Sequence, residues 1–284
     1  MIKKIALFCA LLLICVASKA EDTLRERKRS MVSESNTIHL LGIRLIDTYL
    51  SPLLYKGIAI RYENDRLRYF TPRNDRLSQQ SKVALILGTT TNPTSTASII
   101  YIALNYGWGM HYHFRPGKNL QLLLGGMQDV DIGVKYLARN SNNPVNIDLA
   151  TNLNLSFILQ YKIPAKKRDF LLQASIKIPI MGCMFVPEQG ASYYEMFYLG
   201  NRENTAHFTF WHNKYGISQL YTFDIPARKS VWRLGITANF LKYEANNQVF
   251  KKNDFGFVVG WKHHIYSFAG RKNLPPPDFV APSF

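Results

Sequence analysis

The stretch TNLNLSFILQY, residues 151–161, sets Leu153, Leu155, Phe157, Leu159 and Tyr161 against Asn152, Asn154, Ser156 and Gln160, with Ile158 the one apolar residue on the polar side. A period of two puts alternate side chains on opposite faces, which is the geometry of a strand and not of a helix. The pattern runs about twice as far as the 5–6 residues of an ordinary soluble strand.

It recurs along the chain. In residues 98–114 the even positions carry Ile100, Ile102, Leu104, Tyr106, Trp108, Met110, Tyr112 and Phe114, against Tyr101, Ala103, Asn105, Gly107, Gly109, His111 and His113. Residues 120–136 keep one parity across Gly125-Gly126, and 170–178, 232–240 and 255–265 alternate in the same way. Strands that cross a bilayer need about 9–11 residues and carry aromatic side chains near both interfaces. A closed barrel satisfies its backbone in lipid without helices. The sequence therefore predicts an all-β fold, an antiparallel up-and-down transmembrane β-barrel whose apolar face meets lipid and whose polar face lines the lumen.

The turns suggest the strand count. RPGKN (115–119), PAKKRD (164–169) and PARKS (226–230) are short, basic and contain proline, whereas 89–96, 139–146 and 181–192 are longer and rich in Asn, Thr or Gly. Placing the three basic turns at one end requires one more strand between Ile178 and Phe208. Taking YYEMFYL (193–199) as that strand gives about twelve, within a range of 10–12, and keeps the number even as bacterial barrels do. Residues 181–192 then form a capping loop that carries Cys183 on the outward side.

The ends read differently. Residues 1–20 have Lys3 and Lys4, an apolar run and the small-residue site Ser18-Lys19-Ala20, the pattern of a cleaved secretory signal. About 12 apolar residues are too few to span a bilayer core that needs roughly 20. Residues 21–36 form a charged tail, 37–270 the barrel, and 271–284 a proline-rich tail unsuited to a strand. Phe284, or Phe268 before the proline run, is the expected recognition residue for the barrel-assembly machinery. Removing the leader takes three of the 35 basic residues and none of the 19 acids, leaving a net charge of +13. In an exported chain such an excess points to lipid phosphates, lipopolysaccharide and anionic glycans rather than nucleic acid. Cys9 and Cys15 leave too, so Cys183 has no partner for a disulfide within the chain.

Three stretches carry a resemblance: LIDTYLSPLLYKG (45–57), YLARNSNNPVN (136–146) and FVPEQGASYYEMFYLGN (185–201). Together they are similar to an uncharacterised family known as domain of unknown function 3316, over about residues 38–261. The resemblance implies a secreted, membrane-associated protein of bacterial envelopes. It supplies no activity and no catalytic residues.

On the strand count above, all three stretches fall at one mouth of the barrel. The candidate ligand-binding residues there are Asp47, Tyr49, Asn140, Asn142, Asn143, Glu188, Tyr194 and Glu195. Each has a structural reading beside the functional one, because Asn and Pro build turns and a tyrosine-rich loop packs on itself. His111 and His113 share a face, where lumen packing competes with metal binding. His212 falls near the motif mouth, within possible reach of Ser192 or Glu195. Lumen charges are Arg44, Arg61, Lys177, Arg233 and Lys262 against Glu63, Asp129, Asp131 and Asp224. No nucleophile elbow, zinc-binding helix motif, phosphate loop or Cys/His cluster occurs, so no catalytic residue, metal or cofactor is assigned.

The reading is an outer-membrane barrel with a capped mouth that binds or passes a small anionic or glycan ligand, or serves envelope structure. The alternatives are a barrel lipid hydrolase and a soluble periplasmic β-sandwich.

Overall fold

The computed structural model describes residues 29–71, 74–141, 143–166, 168–227, 230–265, 279–280 and 282–283. The expected signal segment, the first half of the charged tail, Phe268, Phe284 and Asn142 lie outside the described residues.

Long strands dominate: β1 (Arg29–Ser30), β2 (Val32–Asp47), β3 (Ser51–Thr71), β4 (Asn74–Thr91), β5 (Ser98–Phe114), β6 (Leu120–Leu137), β7 (Val145–Ile163) and β8 (Phe170–Phe185). A short helix follows, α1 (Tyr193–Phe197), and then β9 (Ala206–Thr209), β10 (Lys214–Pro226), β11 (Val231–Ala245), β12 (Gln248–Ile265) and β13 (Phe279–Val280). Strands β2 to β8 pair in chain order, β8 pairs with β10, and β12 closes on β2. The result is a closed antiparallel barrel of ten strands, with β9 outside the cycle against the last residues of β8.

Ten lies at the lower edge of the expected range, and the reason is local. Residues 193–199 do not form a strand. Ser192 accepts the Glu195 N–H at 3.2 Å while the Glu195 carboxylate accepts the Ser192 N–H at 2.9 Å. This reciprocal capping box starts α1. Two further boundaries differ from expectation. Strand β2 begins at Val32, inside the expected tail, and Phe279–Val280 pairs with β1 despite the prolines before it.

The barrel is inside-out relative to a soluble domain. Asn152, Asn154, Ser156 and Gln160 are buried in the lumen, while Leu153, Leu155, Leu159 and Tyr161 point outward. Ile58 is 71% exposed and Phe257 67%, a level that only a lipid or detergent surround makes favourable. Ile158, the exception in the opening stretch, packs with Leu67 and Leu123 in a small apolar cluster across the lumen.

The three basic turns lie at one end of the barrel, called here the turn end. Residues 48–50, 92–97, 138–144, 186–205 and 246–247 connect strands at the cap end. There the interior is apolar: Leu41, Ile43, Leu45, Tyr55, Ile99 and Phe250 form one core. Polarity across the wall inverts with it. Arg44, expected in the lumen, is exposed on the outer face opposite Lys56. At the turn end the lumen is charged instead, with the Arg233 guanidinium bidentate on Asp224 at 2.7 and 2.8 Å. Ser283 reaches this end of the barrel, its hydroxyl 2.9 Å from that of Ser33.

Strands approach closely at Gly125, where a Cβ would stand 1.8 Å from the Met110 carbonyl oxygen. Only glycine allows β5 and β6 to coil together there.

Candidate functional site: the cap mouth and the lumen

The three sequence motifs meet at the cap. Asp47, at the end of β2, accepts the Tyr49 N–H at 3.1 Å and the Asn146 side-chain N–H at 2.8 Å. The Tyr193 hydroxyl donates to Asn146 Oδ1 at 2.8 Å and accepts the Ile147 N–H at 2.7 Å. Tyr49 donates to the Ala191 carbonyl at 2.8 Å, and its ring meets that of Tyr193 edge-on at 6.0 Å. Beneath them the Lys135 ammonium, fully buried, pairs with both Asp47 and Asp148 and sits 3.9 Å from the Phe250 ring. Burial, with Asp47 and Glu195 nearby, pushes the Tyr49 phenol up to about 12. Burial raises Tyr193 as well.

This network holds residues 186–205 across the mouth. Gln248 donates to the Pro187 carbonyl and Asn246 to that of Val186, at 2.8 and 2.9 Å. Of the candidates from sequence, Asp47 and Tyr49 belong to its centre, and Asn140 reaches the Leu50 carbonyl at 3.5 Å. Asn143 is half-buried in its turn, and Glu188 is exposed. Tyr194, exposed, stacks on Tyr198 with ring centres 4.8 Å apart. Glu195 serves the capping box, so neither it nor Ser192 meets His212, whose ring lies 6.4 Å from Phe210. Cys183 is not in a loop: it is an exposed residue of β8, paired with Thr151 and Phe208.

Below the apolar core lies a lumen cavity of about 180 Å³. Most charges on its wall are matched. Lys82 pairs with Glu63 and Asp65 at 3.3 and 3.4 Å, Arg61 with Asp254 at 3.2 Å, and Lys177 with Asp129. Asp131 accepts from Asn105 and Asn152 at 2.6 and 2.7 Å. Two lysines stand apart. Lys214 faces the Tyr243 ring at 5.9 Å, and Lys252 faces Tyr101, 5.3 Å from the ring and 3.4 Å from its hydroxyl. Neither has a carboxylate within 4.0 Å among the described residues. Among the described residues His39 Nδ1, Gln80 Oε1, Asp129 Oδ1 and Asn152 Oδ1 on this wall also find no hydrogen-bond partner.

His111 and His113 pack the lumen toward the turn end, hydrogen-bonded to Ser156 (2.9 Å) and to the Gln121 amide. Among the described residues no three His, Cys, Asp or Glu side chains are placed to hold a metal ion.

Sequence reasoning missed Lys135, Asn146, Tyr193, Lys214 and Lys252. Lys135 was accessible from parity, standing inward between Val134 and Tyr136. Lys214 and Lys252 lie where alternation is weak and strand limits are hard to draw.

A family model described as "Protein of unknown function (DUF3316)" matches residues 5–272. No curated protein matches the chain. Among solved structures, the outer membrane protease OmpT from Escherichia coli is similar at 8% identity, over 87% of this chain and 99% of that one, with a TM-score of 0.42. The transport unit of the autotransporter AIDA-I from Escherichia coli is similar at 13% identity, over 91% and 97%, with a TM-score of 0.44. The translocator domain of the autotransporter NalP from Neisseria meningitidis is similar at 7% identity, over 90% and 95%, with a TM-score of 0.38.

Proposed function

We propose that this chain, which belongs to the DUF3316 family of proteins of unknown function, is a bacterial outer-membrane barrel that holds a small anionic ligand in a lumen shut at its cap mouth. The observation that carries this reading is the cavity with Lys214 and Lys252 on its wall. Lys214 is buried and Lys252 half-buried, and ammonium groups drawn out of water with no carboxylate within 4.0 Å among the described residues are costly, a cost that an anion bound between them offsets.

Three features support the membrane setting. The outer face is an apolar band of strand length. At its cap-end margin Lys56, Arg44, Lys251 and Lys242 all point outward on four adjacent strands, β3, β2, β12 and β11. Such a stripe suits the phosphates of lipopolysaccharide at the outer leaflet. The short basic turns suit the periplasmic side.

The lipid-hydrolase alternative fares less well. Ser156 Oγ meets His111 Nε2 at 2.9 Å, but among the described residues His111 Nδ1 has no partner to orient the ring as a general base. An open pore is disfavoured by the packed core under the cap.

The test uses barrel folded in detergent and titrated with butyrate by calorimetry, beside planar-bilayer recording. Saturable heat that Lys252→Gln weakens, with silent bilayers, is the expected result. A flat titration, or steady single-channel conductance, sinks the reading.

A further inference from the structure

The wall of the barrel is not continuous between β8 and β10. Their ladder runs from Asp224↔Leu171 to Ser218↔Lys177 and stops. Pairing on this edge of β8 resumes only at Gly182↔Thr209, with β9. Among the described residues, 178–181 of β8 therefore have no strand on this side over about 13 Å of wall, at 3.3 Å per residue. Facing them are residues 210–217, twice as many, of which 210–213 fold into a turn of their own.

The local chemistry keeps this seam from zipping up. Pro179 has no N–H to give to a ladder. Its carbonyl accepts the Trp211 indole N–H at 2.9 Å, a side chain in place of a strand. The turn satisfies its own backbone, with the Lys214 N–H on the Phe210 carbonyl at 2.9 Å and the Phe210 N–H on Asn213 Oδ1 at 2.9 Å. In lipid, where a backbone group must find a partner inside the protein, these bonds make a local break in the wall tolerable.

The cavity runs into that break. On β3 to β7 the residues lining it are all of the inward parity. On β8 and β10 both parities line it: outward Ile176 beside Ser175 and Lys177, and outward Ile217 beside Gly216 and Ser218. Ile217 pairs with Phe240, another outward residue that lines the same space. The inner side of the seam carries Lys214, 4% exposed.

We infer that the β8–β10 seam is a lateral doorway from the bilayer to the lumen, and that its ligand is a single-chain amphiphile with one anionic headgroup, of the fatty-acid kind. The headgroup enters past Pro179 and Ile217 to reach Lys214 and Lys252. The tail stays against Ile176, Ile217 and Phe240 in the apolar band. The cavity is smaller than the roughly 300–1,000 Å³ of sites that engulf a whole ligand, which suits a headgroup held inside and a chain left in lipid. This inference rests on the anionic-lumen reading above and adds the route and the ligand class.

Trp211 reports on the doorway. The test protein carries Trp108→Phe, Trp232→Phe and Trp261→Phe, so that Trp211 is the sole tryptophan, and is titrated in detergent with 9,10-dibromopalmitate. The expected result is quenching that saturates, is displaced by palmitate, and shifts to about tenfold higher concentration or more in Lys214→Gln, the loss of a charge-assisted contact. Lys214→Arg should retain it, and heat-modifiable mobility confirms that each variant is folded. Quenching that rises linearly with the mole fraction of the probe and is the same in Lys214→Gln overturns the doorway. In that case saturable butyrate heat leaves the lumen reading standing, and its absence removes both.

Discussion

Lys135 Nζ lies 2.7 Å from Asp148 Oδ1 in the mouth of the barrel, with no solvent access to the lysine. Asp47 completes the cluster, itself 3% exposed and tied to Tyr49 and Asn146. One ammonium thus bridges two carboxylates from β2 and β7, strands on opposite sides of the barrel, and the capping segment is built on top of it.

Removing that ammonium leaves buried charge without compensation. Lys135→Met is expected to destabilise the folded barrel by about 3–5 kcal/mol, read as a lower urea midpoint for loss of the compact gel band in lipid vesicles. Adding Asp47→Asn should recover part of it. An unchanged midpoint in the single variant would show that the cluster is solvated in the folded protein.

Tyr193 tests the cap separately from the barrel. Tyr193→Phe strands the Ile147 N–H and the Asn146 amide oxygen, a cost of about 1–3 kcal/mol. Because α1 is a single short helix, the loss should appear as faster proteolysis within residues 186–205 while the barrel band keeps its mobility. Equal cleavage rates in the two proteins would contradict the assigned role of the hydroxyl.

Alkali should loosen the neighbouring contact, the Tyr49 hydroxyl on the Ala191 carbonyl. Tyr49 titrates at about 12 in the folded chain against 10.0 for a free phenol, because burial and the nearby Asp47 and Glu195 disfavour the phenolate. A group whose value is raised on folding stabilises the fold fully below its unfolded value, and that share is lost as pH rises through the folded one. Protection of residues 186–205 should therefore hold to about pH 10 and fall towards pH 12, with Tyr49→Phe abolishing the Tyr49 part of the dependence. A flat profile over that window in the parent protein argues against it.

Orientation can be read with single cysteines in a Cys183→Ala background. Glu188→Cys, in the cap, should react with a membrane-impermeant maleimide on intact cells, and Lys118→Cys, in a basic turn, only after the outer membrane is opened. The reverse pattern would place the cationic stripe at the inner leaflet.

How far the sequence carried depended on what each segment packs against. In 105–114 and 151–161 one face meets lipid and the other a largely polar lumen, so alternation is legible almost residue by residue. Near the cap the lumen is filled by Leu41, Ile43 and Leu45, and the outer face emerges from the apolar band. Hydropathy then reverses, so alternation points Arg44 into the lumen while the strand turns it outward. Turn placement and an even strand number ask for a strand at 193–199, but that count does not foresee a strand like β9 lying outside the cycle. The better signal was Ser192 followed three residues later by Glu195, the mark of a helix start. The convergence of Asp47, Asn146 and Tyr193 was foreseeable only as a meeting of motifs, since hydrogen-bond partners a hundred residues apart leave no local trace. The seam at Pro179 had one visible sign, a proline inside an alternating run.

That proline has a neighbour with a longer reach. Leu153 pairs with Met181 and Asn154 with Pro179, so Ile180 is an extra residue with no counterpart on β7. Up to Ile178 the even positions of β8 look outward; past Ile180 the odd ones do, which leaves Cys183 exposed and Met184 buried. Ile180 thus acts as a shift in the reading frame of the wall. Without it the last five residues of β8 would exchange surfaces, the thiol would turn into the lumen, and the strand would deliver the capping segment to the mouth with its inner and outer sides transposed.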